Sequence, residues 1–236
     1  MTADPLILGF DTSAAHCAAA LLRGDQVLAE ITEEMSRGQA ERLVPLLQRV
    51  LDGAGVTWGD LDAVAVGTGP GNFTGIRISV AAARGLALGL GIPAIGVTAF
   101  EALSAGQHRA GPCLLSLPSS RRGADVVVQV LSETGADGPP RELSLSESLD
   151  HIAPLQGLAV HGAMAQPLHE LLNADRQDVP APQTLALADV GGAAIALTRA
   201  AVGKFRLGEK QGRPAPLYVR AADAAPPRDA PPVILA

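Results

Sequence analysis

Aromatic residues are scarce, with four Phe, one Trp and one Tyr in 236 positions. Burial therefore falls to aliphatic and small side chains, which favours helices and sheets that approach one another closely. Cysteine is scarcer still: Cys17 and Cys113 stand far apart without C-x-x-C spacing. Neither a disulfide framework nor a zinc ribbon follows, and both thiols read as small apolar core groups. The histidines His16, His108, His151, His161 and His169 form no H-x-x-x-H or H-E-x-x-H pair, so no helix face offers two imidazoles to a metal. No G-x-S-x-G elbow supports a Ser-His-Asp hydrolase. Basic charge is also in deficit, 18 Lys and Arg against 24 Asp and Glu giving a formal net charge of −6. That balance repels phosphate backbones and argues against stand-alone nucleic-acid binding.

The first residues, Met1-Thr2-Ala3-Asp4-Pro5, carry an acid where a secretion signal carries Lys or Arg, so the expected compartment is the cytoplasm. One long apolar run exists, Ile78 to Phe100, with Arg84 as its single charge. Gly85, Gly89, Gly91 and Pro93 divide it into a buried helix and a following strand rather than a membrane span.

What is present suits one large or two modest domains, since 47% of the chain is apolar. Leu6 to Phe10, Cys17 to Leu22 and Val27 to Ile31 read as an antiparallel meander, turning at Arg23-Gly24-Asp25. Gln39 to Leu51 is amphipathic, with Leu43, Leu46, Leu47, Val50 and Leu51 on one stripe. Pro45 predicts a kink or a late start there, and Gly53 a C-terminal stop. Ala63 to Val66, Phe73 to Leu90 and Ala94 to Val97 then alternate strand, helix, strand, completing a mixed sheet with helices on its faces.

A second region is expected from about Gly106. Its strands are placed at Leu114 to Leu117, Val126 to Leu131 and Leu158 to His161, with Gly135 to Pro140 as an interruption. Helices are placed at Pro167 to Asn173 and Leu187 to Lys204, the latter carrying Gly191-Gly192 inside it at a propensity cost of about 1 kcal/mol per Gly. Ala224 to Pro232, proline-rich, reads as an extended or disordered end.

Three features have candidate chemistry. The loop Gly67-Thr68-Gly69-Pro70-Gly71-Asn72-Phe73-Thr74-Gly75 runs from a strand into a helix, so its amides can cradle an anion or merely turn a tight corner. It has no Gly-Lys-Ser/Thr and lacks the third glycine of a dinucleotide motif. Asp11-Thr12-Ser13, at the end of the first strand, can hold magnesium or phosphate, or can simply bond its own turn. Asp11, Ser13, Gly69 and Gly71 are thus weak cofactor candidates, and no cofactor or metal is assigned. Arg121 and Arg122 beside Ser119-Ser120 and Gly123 read as a solvated turn more readily than as a phosphate site. The Phe73 to Leu90 helix carries two small-residue rows at i, i+4 spacing: Gly75, Ser79, Ala83 and Ala81, Gly85, Gly89. One row suits the sheet, and two rows invite a second partner.

Leu6-Ile7-Leu8-Gly9-Phe10-Asp11-Thr12-Ser13, the block Leu61 to Arg77 around Gly67-Thr68-Gly69-Pro70-Gly71, then Gly85-Leu86-Ala87-Leu88, Ile92-Pro93 and Ile95-Gly96-Val97 closely resemble the TsaB (YeaZ) family. Pro216-Leu217-Tyr218-Val219-Arg220 resembles its carboxy-terminal pattern. The resemblance is dense from residue 6 to 105 and sparse afterward. It implies an α/β, actin-like ATPase or RNase H-like fold of two lobes, each a mixed sheet flanked by helices: residues 1–105 as the partner-binding lobe, 106–223 as a smaller, diverged lobe, and 224–236 as a tail. It implies a non-catalytic subunit that heterodimerises with TsaD and supports TsaE in forming threonylcarbamoyladenosine in tRNA, touching tRNA only indirectly, with no membrane role and a possible homodimer when alone. TsaD carries an H-x-x-x-H metal pair just after the strand matching Ala94 to Val97, where this chain has Ala99 and Leu103, which cannot ligate a metal. The family's dimer helices match Gln39 to Leu51 and Phe73 to Leu90, making Leu43, Leu46, Leu47, Val50, Gly75, Ser79, Ala82, Ala83 and Leu86 the expected partner contacts. Where family members often read Asp-Ala-Arg-Arg-Gly-Glu-Val-Tyr, this chain reads Ser119-Ser120-Arg121-Arg122-Gly123-Ala124-Asp125-Val126. The alternative is an ATP-dependent kinase of the actin-like superfamily, using Asp11 and the Gly-rich loop, or a metallopeptidase.

Overall fold

The structure is a computed structural model that describes residues 4–105, 111–119, 125–132, 135–145, 157–173, 177–187, 192–208 and 212–219. His108, His151, Arg121, Arg122 and the Ala224 to Pro232 end lie outside the described residues. Two mixed sheets organise the rest. The first has strand order β3-β2-β1-β4-β5, built from β1 (Leu6–Asp11), β2 (His16–Arg23), β3 (Gln26–Glu34), β4 (Ala63–Gly67) and β5 (Ala94–Val97). β2 runs antiparallel to β1 and β3, while β4 pairs in parallel with both β1 and β5. All six residues of β1 are buried, so the strand shows no alternation. Helices on both faces cause this. Leu6, Leu8 and Phe10 join the core beneath α1 (Gln39–Ala54) and α2 (Phe73–Leu90), whereas Ile7 packs with Ala196, Leu197, Ala201 and Val202 of α5 (Ala193–Arg206).

α1 forms because its apolar positions recur at helical spacing: Leu43, Leu46, Leu47, Val50 and Leu51 are all buried against the sheet. Each such leucine contributes about 1.5–3 kcal/mol by burial. Pro45 sits on the outward face, and the helix runs on through it from Gln39. The stop is Gly55 rather than Gly53. Gly55 has φ 66° and its N–H donates to Asp52 O at 3.1 Å, while Val56 N–H reaches Leu51 O at 3.1 Å, a left-handed close that favours glycine. A short 3₁₀ turn, Trp58–Asp60, leads on toward β4.

The second sheet has order β8-β7-β6-β9, from β6 (Cys113–Pro118), β7 (Val126–Ser132), β8 (Gly135–Leu143) and β9 (Ala159–Gly162). β6, β7 and β8 are antiparallel and β9 is parallel to β6. α4 (Ala165–Asn173) covers one face with Leu168 and Leu172. α3 (Ala99–Ser104) connects the sheets, with Phe100 and Leu103 in a cluster that also holds Cys113, Leu115 and Val127.

Three expectations are corrected here. Gly135 to Pro140 is strand, not an interruption: β8 lies at the end of the sheet order and pairs with β7 alone, where proline is tolerated. Gly192 does not lie inside a helix, since at φ 88° it is the N-cap of α5, while Gly191 lies outside the described residues. α5 also returns to the first sheet, packing on β1, β2, β4 and β5, so the segment after residue 106 does not form one separate unit.

Candidate functional site

The turn after β1 and the loop after β4 interlock. A Cβ on Gly67 would strike the Asp11 carboxylate, one on Gly75 the Thr12 carbonyl, and one on Gly71 would lie 2.5 Å from Ser13 O. Close backbone approach, more than turn geometry, therefore requires these glycines. Thr12 Oγ1 donates to Gly75 O at 2.6 Å, and Asn72 N–H donates to Ser13 O at 2.6 Å. Asn72 also caps α2, its Oδ1 accepting from Gly75 N–H at 2.9 Å. Loop amides available in principle to an anion are thus engaged at Asn72 and Gly75.

Between the lobes lies a cleft of about 1050 Å³, lined from the first lobe by Asp11, Ser13, His16, Gly71 and Phe73 and from the second by Leu117, Val127 and Glu142. Of the cofactor candidates, Asp11, Ser13 and Gly71 share this cleft, and Gly69 lines a narrow void beside Asp11 and Ser13. Asp11 Oδ1 accepts from Ser13 N–H at 2.9 Å and Ser13 Oγ at 2.8 Å, and lies 2.8 Å from His16 Nε2. One carboxylate oxygen is therefore surrounded by three groups of the same turn. His16 was not expected here, and a separation of five positions across a strand turn gives no periodic signal for it. No Lys or Arg is among the described residues that line the cleft, whereas Asp11 and Glu142 are. Ala99 lines the cleft and Leu103 is fully buried in the cluster around Phe100. Among the described residues, no three His, Cys, Asp or Glu side chains converge as a metal site.

The second candidate surface is helical. Leu43, Leu46, Leu47, Val50, Gly75, Ser79 and Ala83 are buried within the chain's own core, and Ala82 and Leu86 are half-buried. The fully buried seven cannot be direct partner contacts, because the sheet already occupies that face of both helices. Ser79 Oγ turns inward to Ile76 O at 3.2 Å. The other small row, Ala81, Gly85 and Gly89, faces solvent, and a Cβ on Gly85 or Gly89 would meet nothing within 4 Å. Leu88 beside it is 84% exposed and Val44 of α1 51%. α2 is apolar and long enough to cross a membrane by composition, yet it packs one face on β4, and only 28% of it is buried, less than the buried helix expected.

α1 is held on the sheet from outside as well. Arg42 Nε and Nη2 donate to the two Glu33 oxygens at 2.5 and 2.6 Å, and Arg49 Nη1 adds a third bond at 2.5 Å. The Arg42 hydrogen bonds, with those from Arg49, draw the Glu33 carboxyl from its ordinary 4.5 down to about 2. Cys17, under this network, is pushed up to about 11, first by burial and then by Glu33, which leaves it an inert thiol.

The family model described as "TsaD: tRNA N6-adenosine threonylcarbamoyltransferase" matches residues 26–204. The tRNA threonylcarbamoyladenosine biosynthesis protein TsaB of Escherichia coli K12 is 39% identical over 103 residues, a stretch that spans 44% of this chain and 44% of that relative's length. The solved YeaZ of Pseudomonas aeruginosa superposes with TM-score 0.64 at 24% identity, covering 91% of this chain and 99% of that one. A ROK hexokinase of Thermus thermophilus superposes with TM-score 0.53 at 16% identity, covering 86% and 100%. The two structures are similar in fold, and the actin-like two-lobed architecture expected from the sequence is the one found.

Proposed function

The chain belongs to the TsaD family, on its TsaB (YeaZ) side, and from that premise we propose that it is a non-catalytic subunit of the machinery that forms threonylcarbamoyladenosine in tRNA. It pairs with TsaD through the solvent-facing side of α2, helped by the exposed Val44 of α1, and so supports TsaE association. It meets tRNA only through its partner, acts in the cytoplasm and uses no cofactor of its own. Alone, the same face can pair two copies.

One observation carries this reading. An 18-residue apolar helix has one small-residue row closed on its own sheet and a second, flanked by Leu88, left open. Small rows permit close helix–helix approach, and an exposed apolar face beside one marks an interaction surface. Ala99 and Leu103 supply hydrocarbon where the resemblance places the catalytic paralogue's metal ligands, which supports the absence of chemistry. Reconstitution is the test: tRNA modification by TsaC, TsaD and TsaE is expected to depend on added chain. Equal modification without it ends the proposal.

The cleft of about 1050 Å³ with Asp11 on its wall favours a second reading, an ATP-dependent kinase. Calorimetry with magnesium-ATP separates the two, since micromolar binding by the isolated chain favours the kinase. A stoichiometric metal found by elemental analysis favours the metallopeptidase alternative.

A further inference from the structure

Beyond α5 the described chain crosses back over the first lobe as a strap, residues 212–219, with no regular secondary structure. Pro214 and Pro216 restrict it to extended backbone. Arg84 of α2 donates through Nε to Pro214 O at 2.7 Å, and the Leu217 N–H donates to Thr68 O at 2.7 Å. Gly96 of β5 leaves room for the proline: a Cβ there would lie 3.4 Å from Pro214 Cβ.

The strap ends in a stack. The guanidinium carbon of Arg77 lies 3.6 Å from the Phe73 ring centroid and 5.6 Å from that of Tyr218, and its Nε donates to the Tyr218 hydroxyl at 2.7 Å. The two rings are 5.3 Å apart and inclined by 33°. Both are partly exposed, Phe73 at 44% and Tyr218 at 41%. The next residue, Val219, packs against the cluster of Phe100, Leu103, Cys113, Leu115 and Val127, which includes the inner face of the second sheet. Leu217, Tyr218 and Val219 all line the cleft. Adjacent residues thus grip α2 on one side and the second lobe on the other.

We propose that residues 212–219 are a clasp that sets the opening of the inter-lobe cleft, with Arg77 of α2 as its catch. Phe100 and Leu103 of α3 already tie the first lobe to the second sheet. The strap adds a non-covalent tie at the cleft mouth, and its weakest link is the exposed stack, whose charge–ring contact is modest at a solvated site. Pulling Arg77 from Tyr218 frees Val219 from the second lobe, so the cleft widens without loss of either core. The clasp is independent of any partner, and its test requires none.

Hydrogen exchange on the full chain reads it directly through the Leu217 amide, whose bond to Thr68 reports the strap closed. Tyr218→Ala and Arg77→Ala are each expected to speed Leu217 exchange about tenfold while leaving the Leu8 amide of β1 unchanged, a local opening rather than a global one. Tyr218→Phe, which keeps the ring but loses the hydroxyl, falls between. Spin labels at Ala14 and Arg141, on opposite lobes, are expected to move apart in Tyr218→Ala. Unchanged Leu217 exchange in both alanine variants overturns the proposal, and so does equal acceleration at Leu8, which makes the stack merely part of global stability. Should Tyr218→Ala fail to fold, the same readings on Tyr218→Phe and Arg77→Ala decide.

Discussion

The two lobes repeat one plan and differ in what surrounds it. In each, three antiparallel strands are followed by a fourth that pairs in parallel with the first: β1, β2, β3 and β4 in one, β6, β7, β8 and β9 in the other. Each parallel strand ends on a glycine pressed against the end of its neighbour. A Cβ on Gly67 would meet Asp11, and one on Gly162 would meet Ser116 O. A hydroxyl then ties the crossing, Thr12 Oγ1 to Gly75 O at 2.6 Å and Ser116 Oγ to Ala163 O at 2.6 Å. From there they diverge. The first lobe inserts Thr68 to Asn72 and a long helix with an open face, while the second turns at once, through Met164 at φ 52°, into the nine residues of α4. The crossing recurs in both lobes; the long loop and the open helix face are what the first lobe adds.

The largest effect expected is on the cores themselves. Leu46→Ala beneath α1 and Leu168→Ala beneath α4, both fully buried, should each cost about 2–5 kcal/mol in urea unfolding. A separate early transition in Leu168→Ala alone would show the second lobe unfolding by itself and weaken the picture of two tied halves. Next come the crossings. Gly75→Ala forces a Cβ into the Thr12 carbonyl and Gly162→Ala one into Ser116 O, the latter also at φ 112°. Losses of about 1–3 kcal/mol are expected at each by thermal unfolding. Tolerance at Gly162 with intolerance at Gly75 would break the parallel between the lobes.

The smallest effect concerns acid. Glu33, with its carboxyl held near 2 by Arg42 and Arg49, binds fewer protons folded than unfolded, so its contribution is complete above its ordinary value of 4.5 and fades as pH falls toward 2. Glu33→Gln should flatten the acid limb of the first lobe's stability profile in that window, read by circular dichroism. An unchanged limb would place the network outside the stability of the lobe.

Much of this plan was legible in the residues. Phe73 to Leu90 and Ala94 to Val97 were placed to the residue, because the Gly-rich turn before the helix and Gly91 and Pro93 after it punctuate them clearly. β8 was hidden by Gly138, Pro139 and Pro140, which signal turns locally yet are admissible on a strand with one neighbour. α3 was hidden inside an apolar run, although its capping box, Thr98 Oγ1 to the Glu101 N–H and Glu101 Oε2 to the Thr98 N–H, was a readable signal. For the site, two rows of equal spacing on α2 could not be told apart by period, so the inner one was assigned to the partner; only packing shows that Gly75, Ser79 and Ala83 face the sheet. Contacts such as Arg77 with Tyr218, 141 positions apart, leave no trace in local pattern.

The open face of α2 is the central claim, and Leu88 tests it most directly, because it is exposed by 84% and supports no core. Titrating TsaD with the native chain and with Leu88→Glu should show binding weakened about thirtyfold or more, as for an anchor at the middle of an interface, while stability stays within about 0.5 kcal/mol. Equal affinity of the two proteins for TsaD would contradict it.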